Sequence, residues 1–253
     1  MIPASLIPSS FSPTPVPREQ ALDQIVRRLP GRLLLAQSLA PGVAEQYRHL
    51  AARLHHVQQR SQVNIVMVSS AMPAEGKTLT ATNLALTLSE SYRRRVMVID
   101  ADLRRPSMHT VFGLPNSHGV NNALTGLAPC PAYEVSPRLA VIPAGPPNPD
   151  PVGGLTSPEL ETLVKAAAAA YEWVIIDTPP VGLLTDANLL LPLVHTVVMV
   201  IAANQVGYKQ LQHAADVLGR ERILGVVLNR AAPSPFSGYD TSYAYAYGGE
   251  RGR

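Results

Sequence analysis

Six apolar runs punctuate the chain: Ile65 to Ser69, Val96 to Ile99, Leu139 to Ile142, Trp173 to Ile176, Val197 to Ala202 and Ile223 to Leu228. Most are continuous rather than alternating, the pattern of strands covered on both faces. Stretches such as Pro158 to Tyr171 and Lys209 to Arg220 lie between them and read as helices. This succession predicts an α/β fold, a doubly wound, mostly parallel sheet with helices on both faces. Ahead of the first run, residues 43 to 60 place Val43, Tyr47, Leu50, Leu54 and Val57 on one helical stripe, while Glu45, Arg48 and Arg53 fall elsewhere. That is an amphipathic helix packed on the domain or on a partner.

The ends break the pattern. The first 17 residues or so are rich in Pro and Ser, a composition that cannot bury enough apolar surface to fold. We read residues 1–40 as a Pro-rich, largely disordered leader, 41–230 as one domain, and 231–253, where Gly, Ser and Tyr replace the hydrophobic periodicity, as a mobile tail. A chain of 253 residues has room for one such domain and flexible termini. The net charge of +3 comes from scattered Arg, with knots at Arg93-Arg94-Arg95 and Arg104-Arg105 and no long basic face, so no nucleic acid is expected. A lone cysteine, Cys130, excludes an intrachain disulfide framework and reads as a small hydrophobe. Prolines at 3, 8, 13, 15 and 17 interrupt any secretory signal, and Leu189 to Ala203 is too short to span a bilayer. The expectation is a cytoplasmic protein that reaches a membrane only through something else.

Chemistry enters where the first apolar run meets Ala71-Met72-Pro73-Ala74-Glu75-Gly76-Lys77-Thr78, a phosphate-loop signature with Ala in place of its first Gly. Ala81, Leu84 and Leu88 follow at helical spacing, which supplies the strand, loop, helix order the motif needs. Such a loop turns its N–H groups inward around phosphates, and the helix points its positive end at the same anion. The cofactor-binding residues are then Ala74, Glu75, Gly76, Lys77, Thr78 and Leu79. Lys77 reaches the β and γ phosphates, and the Thr78 hydroxyl is offered to Mg²⁺.

Two runs end in aspartate: Val96 to Ile99 leads into Asp100-Ala101-Asp102, and Trp173 to Ile176 into Asp177-Thr178-Pro179-Pro180. In a doubly wound sheet the ligand crevice lies at the carboxyl ends of the strands, where these groups and the phosphate loop converge. Carboxylates there can hold Mg²⁺, with Thr78, Asp100 and Asp177 as the metal set, and one can take a proton from an attacking hydroxyl. The competing reading is that an Asp caps the next turn or helix. Arg104 and Arg105 either supply positive charge near a transferring phosphoryl group or form a solvated pair. Asn229, at the end of the last run, either pairs with an adenine edge or occupies an ordinary turn.

These stretches resemble the bacterial tyrosine kinases (BY-kinases) of capsule and exopolysaccharide synthesis, in their standalone cytoplasmic form. The similarity covers roughly residues 43 to 247. It rests on Glu45-Gln46-Tyr47-Arg48, Pro73-Ala74-Glu75-Gly76-Lys77-Thr78, Asp100-Ala101-Asp102-Leu103-Arg104-Arg105-Pro106, Ala144-Gly145-Pro146-Pro147-Asn148-Pro149, and Asp177-Thr178-Pro179-Pro180-Val181 with Thr185-Asp186-Ala187. The resemblance implies a P-loop NTPase-type fold and an ATP- and Mg²⁺-dependent protein-tyrosine autokinase that regulates polysaccharide polymerisation and export. It gives Lys77, Thr78, Asp100, Asp102 and Asp177 the Walker A, Walker A′ and Walker B roles, so that Lys77, Asp100, Asp102 and Asp177 form the catalytic set, with Asp100 or Asp102 as the base. It further implies a partner in the cytoplasmic segment of a transmembrane polysaccharide chain-length regulator, self-association in a ring, a cognate tyrosine phosphatase, and a peripheral location at the inner face of the membrane.

Tyr239, Tyr243, Tyr245 and Tyr247 fall within nine residues of the tail and account for four of the nine tyrosines in the chain. A Gly-rich tail offers them no core, so they read as phosphoacceptors, against a plain low-complexity end. Four positions depart from the family pattern. Ala51 stands where the first helix often carries a second Arg, Ala74 stands where Gly is usual, and His195 and Ala202 replace common Asp and Arg. If position 74 needs positive φ, Ala costs about 1–2 kcal/mol there. The rival readings are a MinD/ParA-like ATPase switch, whose signature lysine is Met72 here, and a non-catalytic ATP-binding regulator of a polysaccharide assembly complex.

Overall fold

All six apolar runs form strands in the computed structural model, which describes residues 14–15, 41–126, 130–182 and 185–231. They are β2 (Ile65–Ser70), β3 (Val96–Asp100), β5 (Leu139–Ile142), β6 (Trp173–Asp177), β7 (Thr196–Ala202) and β8 (Ile223–Asn229). Two more strands complete the sheet: β4 (Tyr133–Ser136), and β1, a two-residue stretch, Thr14–Pro15, inside the segment read as a disordered leader. The order is β1-β4-β5-β3-β6-β2-β7-β8. Every pairing is parallel except the β4–β5 hairpin.

The continuous apolar runs follow from what covers the sheet. Alternate residues of one strand enter opposite cores: Met67 and Met97 face one, Val66, Val68, Val96 and Val98 the other. The first core is closed by helices that include Val120–Leu124, Pro158–Ala170 and Tyr208–Leu218. The second is closed by α1 (Pro41–Ser61), α2 (Lys77–Leu86) and α3 (Met108–Phe112). Trp173 and Leu54 are fully buried in that second core, where each contributes about 1.5–3 kcal/mol of transfer free energy.

In α1 the buried face is set by Ala51 and Leu54, both 0% exposed, whereas Val43 is 42% exposed. The predicted stripe is corrected at its first turn, where Val43 stays exposed. The helix lies on the domain itself, and Tyr92 Oη ties it down by donating to Arg48 O at 3.1 Å. Among the described residues, no helix is long and apolar enough to cross a membrane.

His195 has a structural explanation. Its Nδ1 accepts from the backbone N–H groups of Asn64 and Ile65, at 3.2 and 3.1 Å, and so satisfies donors at the start of β2. An aspartate there could accept the same bonds, which accounts for either residue at this position.

Candidate active site

Parallel strands deliver their carboxyl ends to one edge, and the phosphate loop, Asp100, Asp102 and Asp177 all lie along it. β2 ends at Ser70, and the loop that follows ends at Gly76, the residue before α2, with φ 98. Only glycine fits: a Cβ at Gly76 would stand 2.1 Å from Asn229 Nδ2. Ala74 has φ 61, so the strain anticipated for an alanine there is present.

Glu75 is 1% exposed and works as a strut. Its carboxylate accepts from Met72 N at 2.6 Å across the loop and from Ala202 N at 2.9 Å at the end of β7. Asn229 Nδ2 donates to Glu75 O at 2.8 Å while its Oδ1 accepts from Arg230 N, which ties the end of β8 to the loop. Lys77, 7% exposed, lines the cavity that opens in front of the loop.

That cavity measures about 630 Å³, within the range of ligand sites. Ala74, Gly76, Thr78 and Leu79 line it on the loop side, Asp102, Arg105 and Ser107 on the other, with Pro179 and Pro180 below. A smaller cavity of about 190 Å³, lined by Arg95, Glu134, Arg138 and Tyr171, contains none of the candidate catalytic, cofactor or metal residues.

The three aspartates differ sharply. Asp100 and Asp177 are register partners across β3 and β6, and both are fully buried. Asp100 accepts three backbone N–H bonds, from Asp102 at 3.2 Å, Ser107 at 3.1 Å and Met108 at 3.0 Å. It anchors the start of α3, the capping role that the sequence left open, and burial followed by the Asp177 charge holds its carboxyl well above the usual range. Asp177 Oδ2 accepts from the Thr78 hydroxyl at 2.6 Å. Burial pushes its carboxyl up to about 7, against the lowering effects of the Thr78 hydrogen bond and the Lys77 charge. Asp102 lines the cavity, and burial raises its carboxyl too, opposed by a hydrogen bond from Arg105 N.

Asp177 Oδ1 is buried with no hydrogen-bond partner among the described residues. An unsatisfied carboxylate oxygen beside a threonine hydroxyl is a donor set that fits Mg²⁺, which keeps several waters and takes one or two carboxylates. Asp100, beside that set, accepts its three N–H groups on both carboxylate oxygens.

Arg104 also lines the cavity, but its guanidinium is spoken for. It forks onto Asp186 at 2.5 and 3.1 Å and donates to Pro149 O, with the Asp186 side chain only 2% exposed. Asn121 Nδ2 donates to Leu103 O and Pro146 O, so the 103–104 loop and the proline-rich 146–149 loop are held as one wall. Sequence reasoning missed Ser107, whose hydroxyl lies 2.8 Å from that of Thr78, and Arg230, which meets Ala74 O at 2.7 Å. The only cue for Arg230 was its place directly after Asn229. Tyr239, Tyr243, Tyr245 and Tyr247 lie outside the described residues.

The CobQ/CobB/MinD/ParA nucleotide binding domain family matches residues 66–241. Tyrosine-protein kinase YwqD of Bacillus subtilis strain 168 is 33% identical over 201 residues, covering 78% of this chain and 84% of that protein. CapB of Staphylococcus aureus is 27% identical over 214 residues, covering 81% of this chain and 90% of its own. The crystal structure of the chimerical protein CapA2B2 superposes with a TM-score of 0.72 at 27% identity, over 84% of this chain and 92% of that one.

Proposed function

This chain belongs to the bacterial tyrosine-protein kinases, within the CobQ/CobB/MinD/ParA nucleotide-binding family, and from that premise we propose that it moves the γ-phosphoryl group of ATP onto its own Tyr239–Tyr247 cluster. The observation that carries this reading is the cavity in front of the phosphate loop, which Lys77 and Asp102 both line. The loop N–H groups and Lys77 bind the β and γ phosphates, and the start of α2 adds its positive dipole end. Asp102 accepts the tyrosine hydroxyl proton. The phenol oxygen then bonds to the γ phosphorus as the bond to the β–γ bridging oxygen breaks, and ADP leaves with that electron pair. A carboxylate raised by burial is better matched to this proton transfer than a solvated one. Bound Mg²⁺, held by Thr78 and Asp177 directly or through water, would neutralise charge on the phosphate oxygens.

The likeness to CapA2B2 and CapB supports a CapA-type membrane protein as partner and the control of capsule or exopolysaccharide export as the role. On this reading a cytoplasmic segment of that partner brings the kinase to the inner face of the membrane. Copies of the kinase self-associate, and a tyrosine phosphatase resets the tail.

Full-length protein given ATP, Mg²⁺ and the partner's cytoplasmic segment will gain phosphotyrosine between Tyr239 and Tyr247. Lys77→Met will lower the rate at least about 100-fold, the scale of losing one charged contact to the transferring group. Phosphopeptide mass spectrometry reads both. ATP hydrolysis without phosphotyrosine in that mixture would point instead to a MinD/ParA-like switch, and ATP binding with neither activity to a regulator.

A further inference from the structure

Two side chains at the end of β8 hold the phosphate loop from behind. Asn229 grips the carbonyl of Glu75, and Arg230 grips the carbonyl of Ala74, at 2.8 and 2.7 Å. Arg230 is itself braced, because Nη1 donates to Gln205 Oε1 at 3.1 Å in the loop after β7. Its backbone, at φ 57, turns sharply as the chain leaves the strand, and its side chain reaches the wall of the nucleotide cavity.

The carbonyl that Arg230 holds belongs to the strained residue of the loop. Ala74 sits at φ 61, a left-handed conformation that a residue with a Cβ adopts only where its surroundings impose it. A planar guanidinium suits the task. Its fixed fork can grip one carbonyl while a second N–H rests on a neighbouring amide, which a lysine ammonium on a flexible stem cannot match.

We propose that Arg230 is a positioning residue for nucleotide binding, acting through the Ala74 carbonyl to keep the loop in the left-handed shape that presents its N–H groups to phosphate. The inference rests on the ATP reading above and adds to it a residue outside the phosphate-loop motif. It also predicts a dependence: the clamp matters because residue 74 is Ala. Glycine adopts positive φ without cost, so a loop carrying Ala74→Gly needs the clamp less.

The test is a double-mutant cycle on the full chain, with the fluorescent nucleotide mant-ATP as probe. Arg230→Ala will weaken binding about tenfold when residue 74 is Ala, the scale of one lost charge-assisted hydrogen bond. In an Ala74→Gly background the same change will weaken it less than about twofold. Arg230→Lys will recover part of the loss. The phosphorylation rate at saturating ATP will fall much less than the apparent ATP affinity, and the nucleotide-free melting temperature will move by no more than about 2 °C. Equal losses in both backgrounds, or no loss with Ala74 in place, overturn the inference, as does a melting temperature that falls in step with affinity. Wild-type protein that binds no mant-ATP overturns the nucleotide reading and this inference together. Wild-type binding with an unaffected Arg230→Ala overturns the inference alone.

Discussion

Asp177 faces Asp100 across paired strands, and no water-exposed route relieves either charge. The carboxyl of Asp177 ionises near 3.8 in the unfolded chain and near 7 in the folded one. Between those values the native state holds a proton that the unfolded state has lost, so the contribution to stability falls as pH rises through this window and levels off above it. Thermal unfolding of metal- and nucleotide-free protein will therefore show Asp177→Asn gaining on the wild type from about pH 4 to about pH 7, while phosphorylation is lost. A constant difference between the two across that range would contradict the assignment. The acidic residues were legible from the sequence because strands ending in Asp beside a phosphate loop leave few other uses. Their division of labour was not. Whether an Asp caps a helix or faces a cavity depends on where Ser107 and Met108 fold back, and no local pattern encodes that return.

Among the elements, α1 shows what helical spacing can and cannot say. The sequence located the helix, but Ala51 rather than Val43 meets the core. Glu45 and Arg48 pair with each other at 2.9 Å on the exposed side. Ala51 therefore cannot host the second arginine of the family pattern as an outward-facing contact. Ala51→Arg would bury an unpaired charge at a cost on the order of 3–5 kcal/mol. The melting temperature should drop by roughly 10 °C, with no gain in oligomer size by light scattering. A soluble, larger assembly of unchanged stability would refute the packing described for this helix. β4 escaped detection for a different reason. Tyr133-Glu134-Val135-Ser136 alternates apolar and polar, but over only four residues shortly after Pro131, too short a pattern to mark a strand. Five of the six remaining main strands were plain because both of their faces are covered, whereas β8 was plain from its apolar run alone, with Val226 and Leu228 left exposed.

For the molecule as a whole, parallel topology decides where the tyrosine-bearing segment starts. β8 runs parallel to β7, which runs parallel to β2, so Asn229 ends on the same rim as the phosphate loop and touches it. Tyr239 lies ten residues beyond Asn229 and Tyr247 eighteen. A chain of those lengths spans at most about 36 Å and about 65 Å. Removing residues 232–237 will cost Tyr239 its phosphate while Tyr247 keeps it, as site-resolved mass spectrometry can read. Retention of both sites would mean that the phosphate donor comes within reach of a tether of about 14 Å from Asn229. On the proposed reading with a second subunit as donor, the tether acts as a ruler: the Cα of Tyr239 can travel no more than about 36 Å from the first subunit's Asn229, so the neighbour's phosphate loop has to come within reach of that sphere.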